Sequence, residues 1–298
     1  MQITPRVISI LEFVAVCYTA TREMIQRACL SETDPKGRIA RKLLNAMHAE
    51  SLLNKTQQLV CNPNWGAPAP VYYPSRKGCE LLAVETGDDK WMNTCCLCPN
   101  WQHLHHWVNV AKFHFALLEA VKLVPSVKID GWLSEWDIAN PAEKEPHLRY
   151  RLFTEIRKEP RLVCAPDAAF LLRVGSLAKV FYVEIDRATT SINAIAASKT
   201  GGFAEMARQL LHKRHYPKTT FDTFSVLQIT TSPNRRDALV RAIKTKPGAE
   251  IWRFIAWPEI TRESLIHGDI VYDCQNEKPR ALVKKASAGE SGTGPAGP

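Results

Sequence analysis

The sequence of 298 residues predicts an α/β protein (α + β overall), with a mainly helical N-terminal module ahead of a larger mixed-sheet domain. Two observations predict this class. Residues 5–53 hold apolar side chains mostly at helical spacing, whereas short apolar runs of strand length alternate with helical segments from residue 128 onward. Such alternation is typical of layered α/β domains. The chain is long enough for two domains, each with its own core.

The first 85 residues predict three helices, a hairpin and a closing helix. Thr21 is placed to cap the second helix, and Asp34-Pro35 is expected to open a third that ends near Leu53. The β-prone runs 55–61 and 71–74 flank a loop rich in Pro, Gly and Asn, and Ser75 is placed to cap the last helix. This order is that of a winged helix, whose third helix commonly enters the major groove of DNA. A helical oligomerisation module is the alternative.

Positive charge is unevenly distributed along the chain. The net charge is +9, and residues 151–218 carry 12 Lys and Arg against 6 Asp and Glu. Such an excess suits a polyanionic partner, because neutralised phosphates release counterions, although a solvated surface would have the same composition. The candidate DNA-binding residues are Lys36, Arg38, Arg41, Lys42, Arg76, Lys77 and Arg187.

The predicted boundaries follow from composition. Residues 1–85 form the winged helix, 86–100 a linker and 101–274 the α/β domain, which starts with a long helix at 101–124. Residues 275–298 lose their aromatic side chains and are expected to be disordered.

Carboxylates mark two neighbouring strands of the predicted sheet. Asp167 stands at the start of one apolar run and Glu184 near the end of the next, so paired strands would bring both to one edge. Asp186 shares the side of Glu184 by the two-residue period of a strand. Hard oxygen ligands on rigid strands suit Mg²⁺ or Mn²⁺. Lys199 and Arg187 are nearby cations that could stabilise a phosphoryl transition state.

This arrangement resembles the PD-(D/E)xK nuclease motif, with Pro166-Asp167 followed by Glu184. The sequence departs from the motif because the Lys expected two residues after Glu184 is Asp186. The basic role therefore falls to Lys199, on the following helix, or is missing. Glu135, in the segment WLSEWDI, matches the acidic residue that such folds often supply from an upstream element.

The order of several short segments resembles the replication-relaxation family of plasmid and mobile-element proteins. These segments include YYPSRKGCELLA (72–83), HHWVNVAKFHFALLEA (105–120), APDAAFLL (165–172) and FYVEIDRATTS (181–191), and the resemblance covers about residues 5–260. It implies a restriction-endonuclease-like second domain, related to mobilisation relaxases, and double-stranded DNA as the partner. The implied metal ligands are Glu135, Asp167, Glu184 and Asp186, and the implied catalytic residues are Asp167, Glu184 and Lys199.

Two functions are compatible with these features. In the first, the protein takes part in plasmid or mobile-element replication, relaxation or mobilisation and nicks DNA with a divalent metal. In the second, it is a non-enzymatic replication or transcription regulator, and Asp186 in place of Lys marks a degenerate nuclease fold. A homodimer or other replication and mobilisation proteins are further candidate partners.

Cysteine usage and hydropathy indicate a cytoplasmic protein without a membrane span. The chain has nine Cys, no basic leader with a cleavage site, and no run of about 18 apolar residues. Soft metal ligands cluster between residues 95 and 106. They are Cys95, Cys96, Cys98, His103, His105 and His106. Their spacing matches no paired zinc knuckle, so we expect reduced thiols here and not a zinc site.

Overall fold

The computed structural model describes residues 1–30, 36–57, 70–276 and 278–284. The prediction of a mixed α/β protein is confirmed, since helices surround a small antiparallel sheet in the N-terminal part and a six-stranded mixed sheet in the C-terminal part. Within the described ranges, no helix combines the length and the apolar character that crossing a membrane requires.

Residues 5–86 build the N-terminal module. Its helices are α1 (Pro5–Cys17), α2 (Arg22–Ile25, continued by a π-helical turn at Gln26–Leu30), α3 (Arg38–Ala49) and α4 (Arg76–Thr86). Its strands are β1 (Ala20–Thr21), β2 (Leu53–Thr56) and β3 (Val71–Pro74), and β3 pairs antiparallel with both others. The predicted hairpin is therefore present, although its loop, residues 58–69, lies outside the described residues. The assignment of these elements to a winged helix stays a prediction.

Local signals at the helix ends mostly predict the observed caps. The Thr21 hydroxyl accepts a hydrogen bond from Met24 N, and the Ser75 hydroxyl accepts one from Gly78 N at 2.9 Å. The predicted start of α3 is wrong, because this helix begins at Arg38. Gly37 precedes it with φ of 63°, a left-handed conformation through which a right-handed helix cannot extend backwards. Asp34 and Pro35 lie outside the described residues.

The C-terminal part starts with a long helix and then alternates strands and helices. The helices are α5 (Trp101–Lys122), α6 (Pro146–Arg149), α7 (Ile192–Arg208), α8 (His212–His215), α9 (Pro233–Ile243) and α10 (Ser264–His267). The strands are β4 (Val127–Ser134), β5 (Thr154–Arg157), β6 (Leu162–Cys164), β7 (Ala168–Val174), β8 (Leu177–Ile185), β9 (Ser225–Thr230), β10 (Trp252–Ala256) and β11 (Tyr272–Asp273).

The large sheet has the strand order β11-β10-β9-β8-β7-β4 and is covered by helices on both faces. β8, β9 and β10 run parallel, while β4, β7 and β11 pair antiparallel with their neighbours. Along β8, Val180 and Tyr182 pack with α7 and α9, whereas Phe181 and Val183 pack with α5 and α10. This alternation, the two-residue period of a strand, divides the core into two layers around a buried sheet.

The predicted linker and the predicted tail both form contacts in the structure. In the expected linker, residues 86–100, a 3₁₀ helix at Asp89–Asn93 buries Trp91, whose Nε1 donates to the Thr86 hydroxyl at 3.1 Å. After residue 275, Arg280 pairs with Val271 as a β-bridge and Val283 N donates to Ile266 O. The disorder expected for residues 275–298 stays a prediction, and residues 277 and 285–298 lie outside the described ranges.

Candidate active site

A cleft of about 770 Å³ lies at the edge of the large sheet where β7 begins and β8 ends. It is bounded by the N-terminal half of α5 and by α7. Four of its ionisable side chains come from different elements. They are Glu135 after β4, Asp167 before β7, Glu184 in β8 and Lys199 in α7.

Antiparallel pairing of β7 and β8 brings Asp167 and Glu184 together, as the sequence predicts. Ala168 lies opposite Val183, and Asp167 N donates to Val183 O at 3.1 Å. One carboxylate oxygen of Asp167 accepts a hydrogen bond from Ile185 N at 2.6 Å, which fixes its orientation. Only 8% of Asp167 and 4% of Glu184 is exposed, so both carboxyl groups need nearby cations or protons.

Lys199 supplies a cation to this pair from the neighbouring helix. Its Nζ lies 2.8 Å from Oε2 and 3.1 Å from Oε1 of Glu184, and it approaches the carbonyl oxygen of Ala165 at 3.4 Å. Ser191 caps α7 through its hydroxyl, so the helix starts directly after β8 and runs back over the strand ends. Lys199 of α7 therefore lies next to Glu184 in space, although the chain position two residues after Glu184 holds Asp186.

Glu135 and His106 complete the cluster from the other side. Glu135 N donates to Asp167 O at 3.0 Å, and Trp107 Nε1 donates to Glu135 Oε1 at 2.6 Å. His106 Nε2 lies 3.3 Å from Asp167 Oδ1 and 3.6 Å from Glu135 Oε1. Among the described residues, the possible ligand atoms of His106, Glu135 and Asp167 lie within 4.8 Å of one another, a spacing that fits one divalent metal ion.

Burial shifts the pKa values of the carboxyl groups in this cluster. Burial raises the pKa of Glu184 to about 8 against the opposing effect of Lys199, and burial with the charge of Asp167 raises the pKa of Glu135 to about 7. Burial also acts to raise the pKa of Asp167, but His106 and Lys199 hold it below its ordinary value. In this largely buried cluster, the carboxylates therefore outnumber the cations that compensate their charge.

Asp186 lines the cleft but contacts Arg235 and not the cluster, and its assignment as a metal ligand stays a prediction. β8 ends at Ile185, so the two-residue alternation stops before Asp186. Its carboxylate forms two bonds with the guanidinium of Arg235 on α9, one to Nε and one to Nη2 at 2.9 Å, and it accepts a hydrogen bond from Ala188 N at 2.9 Å. A carboxylate with these partners is committed to an ion pair.

The candidate DNA-binding residues lie on two surfaces. Lys36, Arg38, Arg41 and Lys42 are all exposed around the start of α3, whose buried residues are Ala40, Leu44 and Met47. Arg76 and Lys77 are exposed on α4, where they donate to the carbonyl oxygens of Met92 and Glu50. Arg187 is half-buried and lines the cleft.

The cysteines and histidines of residues 95–106 contact different partners. Cys96 Sγ lies 3.7 Å from Cys79 Sγ, a residue of α4, while His106 faces the carboxylates. Sequence spacing pointed to neither contact. His106, Trp107 and Gln228 of β9 all line the cleft and were missed as site residues. In the sequence, His106 is marked only as a member of the cluster of soft metal ligands, Trp107 lies at the polar start of an otherwise apolar helix, and no sequence signal indicates Gln228.

The family model described as replication-relaxation matches residues 11–220 of this chain. The chain belongs to the replication-relaxation family. The matched region includes the N-terminal module and every ionisable residue of the cleft named above, and it ends before β9. Membership in the replication-relaxation family associates the protein with the replication or relaxation of plasmids and other mobile elements and with interaction with DNA. No curated protein and no solved structure matches the chain.

Proposed function

We propose that this protein binds double-stranded DNA through its N-terminal module and nicks one strand in the cleft with the help of Mg²⁺ or Mn²⁺. The observation that carries the proposal is the contact of Lys199 Nζ with Glu184 at 2.8 Å. The sequence lacks the Lys of the PD-(D/E)xK motif, but Lys199 places a cation next to the acidic pair. Such a cation is what phosphodiester cleavage requires.

In the proposed hydrolysis, water attacks the phosphorus and the P–O bond to one sugar oxygen breaks. The attacking water loses a proton, and the departing sugar oxygen gains one. A bound divalent ion would supply a more acidic water and neutralise charge on the phosphate. Asp167 and Glu135 would hold that ion, with Glu184 beside them, and the Lys199 ammonium would stabilise the negative charge that builds on the phosphate.

The contacts of the cleft favour an intact site over a decayed one. Asp167 is oriented by Ile185 N, Glu135 by Trp107 and Glu184 by Lys199, so each carboxylate has a partner that fixes it. Asp167 and Glu184 are both buried, and removing each carboxylate from water costs free energy that a site used only as a scaffold would not need to spend.

The test is cleavage of supercoiled plasmid with Mg²⁺ or with Mn²⁺. We expect nicked circles with the wild type and a loss of roughly 10²–10³-fold in rate with Lys199→Met, Asp167→Asn or Glu184→Gln. Lys158→Met, in an exposed turn, is the matched control and should nick like the wild type. The absence of nicking by the wild type with either metal, or equal nicking by all variants, would contradict the proposal.

A further inference from the structure

The cleft contains a nitrogen ligand among its oxygen ligands. His106 lies on α5, far in the chain from the two strands of the acidic pair, and its Nε2 points between Asp167 Oδ1 and Glu135 Oε1 at 3.3 and 3.6 Å. Only 19% of the imidazole is exposed. These distances are short enough for one ion to contact all three side chains after small rotations.

The charges of the cleft leave room for a dication. Glu135, Asp167 and Glu184 carry three negative charges when ionised, whereas Lys199 provides one positive charge. Asp186 and Arg187, which also line the cleft, carry opposite charges, so carboxylates outnumber Lys and Arg side chains there by four to two, and a bound cation would compensate part of this excess. Buried charges without such compensation would be costly.

A second, independent feature lies in the same cleft. Gln228 lies directly opposite Glu184 in the pairing of β8 with β9, lines the cleft and is only 3% exposed. Its Nε2 donates to Glu184 O at 3.3 Å, but its buried Oε1 has no hydrogen-bond partner among the described residues. Because buried polar atoms are nearly always paired, this oxygen indicates a ligand or a ligand's water in the cleft.

We infer that His106, Glu135 and Asp167 are the protein ligands of one metal site and that His106 makes this site prefer Mn²⁺ over Mg²⁺. Mg²⁺ favours oxygen ligands and water, whereas transition metals accept imidazole nitrogen as well as carboxylate oxygen. The inference rests on the proposed function for its biological meaning, but it concerns metal binding by itself. In this set of metal ligands, His106 of α5 takes the place of Asp186, which is paired with Arg235.

Metal binding to the full chain tests the inference without any activity measurement. Free Mn²⁺ is followed by electron paramagnetic resonance, and Mg²⁺ is measured by competition. We expect the wild type to bind Mn²⁺ about tenfold more tightly than Mg²⁺, and His106→Gln to lose about tenfold or more of the Mn²⁺ affinity but little of the Mg²⁺ affinity. His105→Gln, a neighbour on α5 that does not line the cleft, is the matched control and should bind like the wild type.

A measurement on the wild type avoids any dependence on the folding of a variant. Spin-echo spectra of bound Mn²⁺ should show modulation from an imidazole ¹⁴N. Unmodulated spectra, or equal Mn²⁺ affinity of the wild type and a folded His106→Gln, would overturn the inference. If nicking with Mg²⁺ then persisted, the proposed function would stand without it. Conversely, ¹⁴N modulation in a protein that never nicks DNA would support the metal site and contradict the nuclease.

Discussion

Asp186 and Arg235 form an ion pair at the margin of the cleft. The Asp186 side chain is 2% exposed and that of Arg235 is 16% exposed, and Arg235 also donates to Thr190 O at 2.6 Å. The pair ties the start of α9 to the segment between β8 and α7. Its role is therefore to hold these two connections together, next to the residues that we assign to metal binding.

Removing one partner of this pair should destabilise the protein without weakening metal binding. Asp186→Ala leaves the Arg235 guanidinium without its main partner, so we expect a loss of about 3 kcal/mol in the free energy of unfolding, measured with urea. Asp186→Leu combined with Arg235→Met should cost less than the single change, because no uncompensated charge stays behind. A loss of Mn²⁺ affinity in the stable double variant would show that Asp186 serves the metal after all.

His114 on α5 is buried as a neutral group. It is 3% exposed and stacks on Trp132 with ring centroids 3.9 Å apart, and burial lowers its pKa to about 3. In the unfolded chain the pKa of a His is about 6.5. The folded state therefore binds this proton less readily than the unfolded state, so the stabilisation is complete above about pH 6.5 and is lost as pH falls toward 3.

We predict that His114 contributes about 1.4 kcal/mol per pH unit to acid destabilisation below pH 6.5. Urea unfolding of His114→Phe between about pH 5.5 and 4 should show a pH slope that is smaller by this amount, because there the unfolded state binds the proton almost fully and the folded state does not. His103→Gln, an exposed residue of the same helix, should keep the wild-type slope. Parallel slopes for wild type and His114→Phe would mean that the buried ring accepts a proton in the folded state.

At the scale of elements, α4 packs closely against the turn between α3 and β2. Gly78 lies in the first turn of α4, and a Cβ at this position would stand 2.1 Å from the carbonyl oxygen of Leu52. Neither backbone can yield easily, because Ser75 Oγ also donates to Ser51 O at 2.7 Å across the same junction. Glycine is needed here for space and not for backbone conformation.

Gly78→Ala should therefore lower the free energy of unfolding by about 1–3 kcal/mol, as overpacking does. Gly201, in the middle of α7, has no atom within 4 Å of the place of its Cβ. Gly201→Ala should stabilise the protein by up to about 1 kcal/mol, because Ala is the better helix former. The two substitutions should change the free energy of unfolding in opposite directions, which urea or thermal unfolding can measure and which distinguishes packing from helix propensity. If both substitutions were stabilising, the close approach at Gly78 would be refuted.

The basic side chains at the start of α3 are the proposed contacts to duplex DNA. Reversing Lys36, Arg38, Arg41 and Lys42 to Glu should weaken duplex binding and reduce the slope of log K against log salt by about 1 for each phosphate that the protein no longer neutralises. Reversing four other exposed side chains, Lys218, Arg241, Lys244 and Lys246, to Glu is the control with the same change of net charge. Unchanged salt dependence in the α3 variant, with thermal unfolding intact, would remove this helix as the DNA-binding surface.

At the scale of the whole molecule, α5 belongs to both parts of the chain. Its Ala111 and Phe115 pack in the core of the N-terminal module, whereas Phe113 and Leu117 pack against the large sheet. Tyr18 reinforces this junction, since its hydroxyl donates to Leu97 O at 3.1 Å and its ring packs on Trp107 and Trp136. Trp107 in turn holds Glu135. The predicted boundary at residues 86–100 stays a prediction, but helix α5 joins the two cores.

The sequence by itself determined the order of the longer helices and strands, the caps Thr21 and Ser75, and the pair Asp167 and Glu184, but not the short elements β1, α6, α10 and β11. These features depend on neighbours along the chain: a cap bonds within one turn, and two strands joined by a short turn pair with a register that their own residues set. Arguments from periodicity succeed at this range.

Only the tertiary structure decided which residues complete the site. His106 reaches Asp167 from α5, Lys199 covers Glu184 from α7, and Asp186 pairs with Arg235, 49 residues away. Each of these contacts depends on how helices pack across the sheet edge, which no short sequence pattern encodes. Asp186 also departs from the side of Glu184 for a local reason, because strand alternation ends where β8 ends. The pairing of β7 with β8 places the two carboxylates, and the packing of the helices determines which residues contact them.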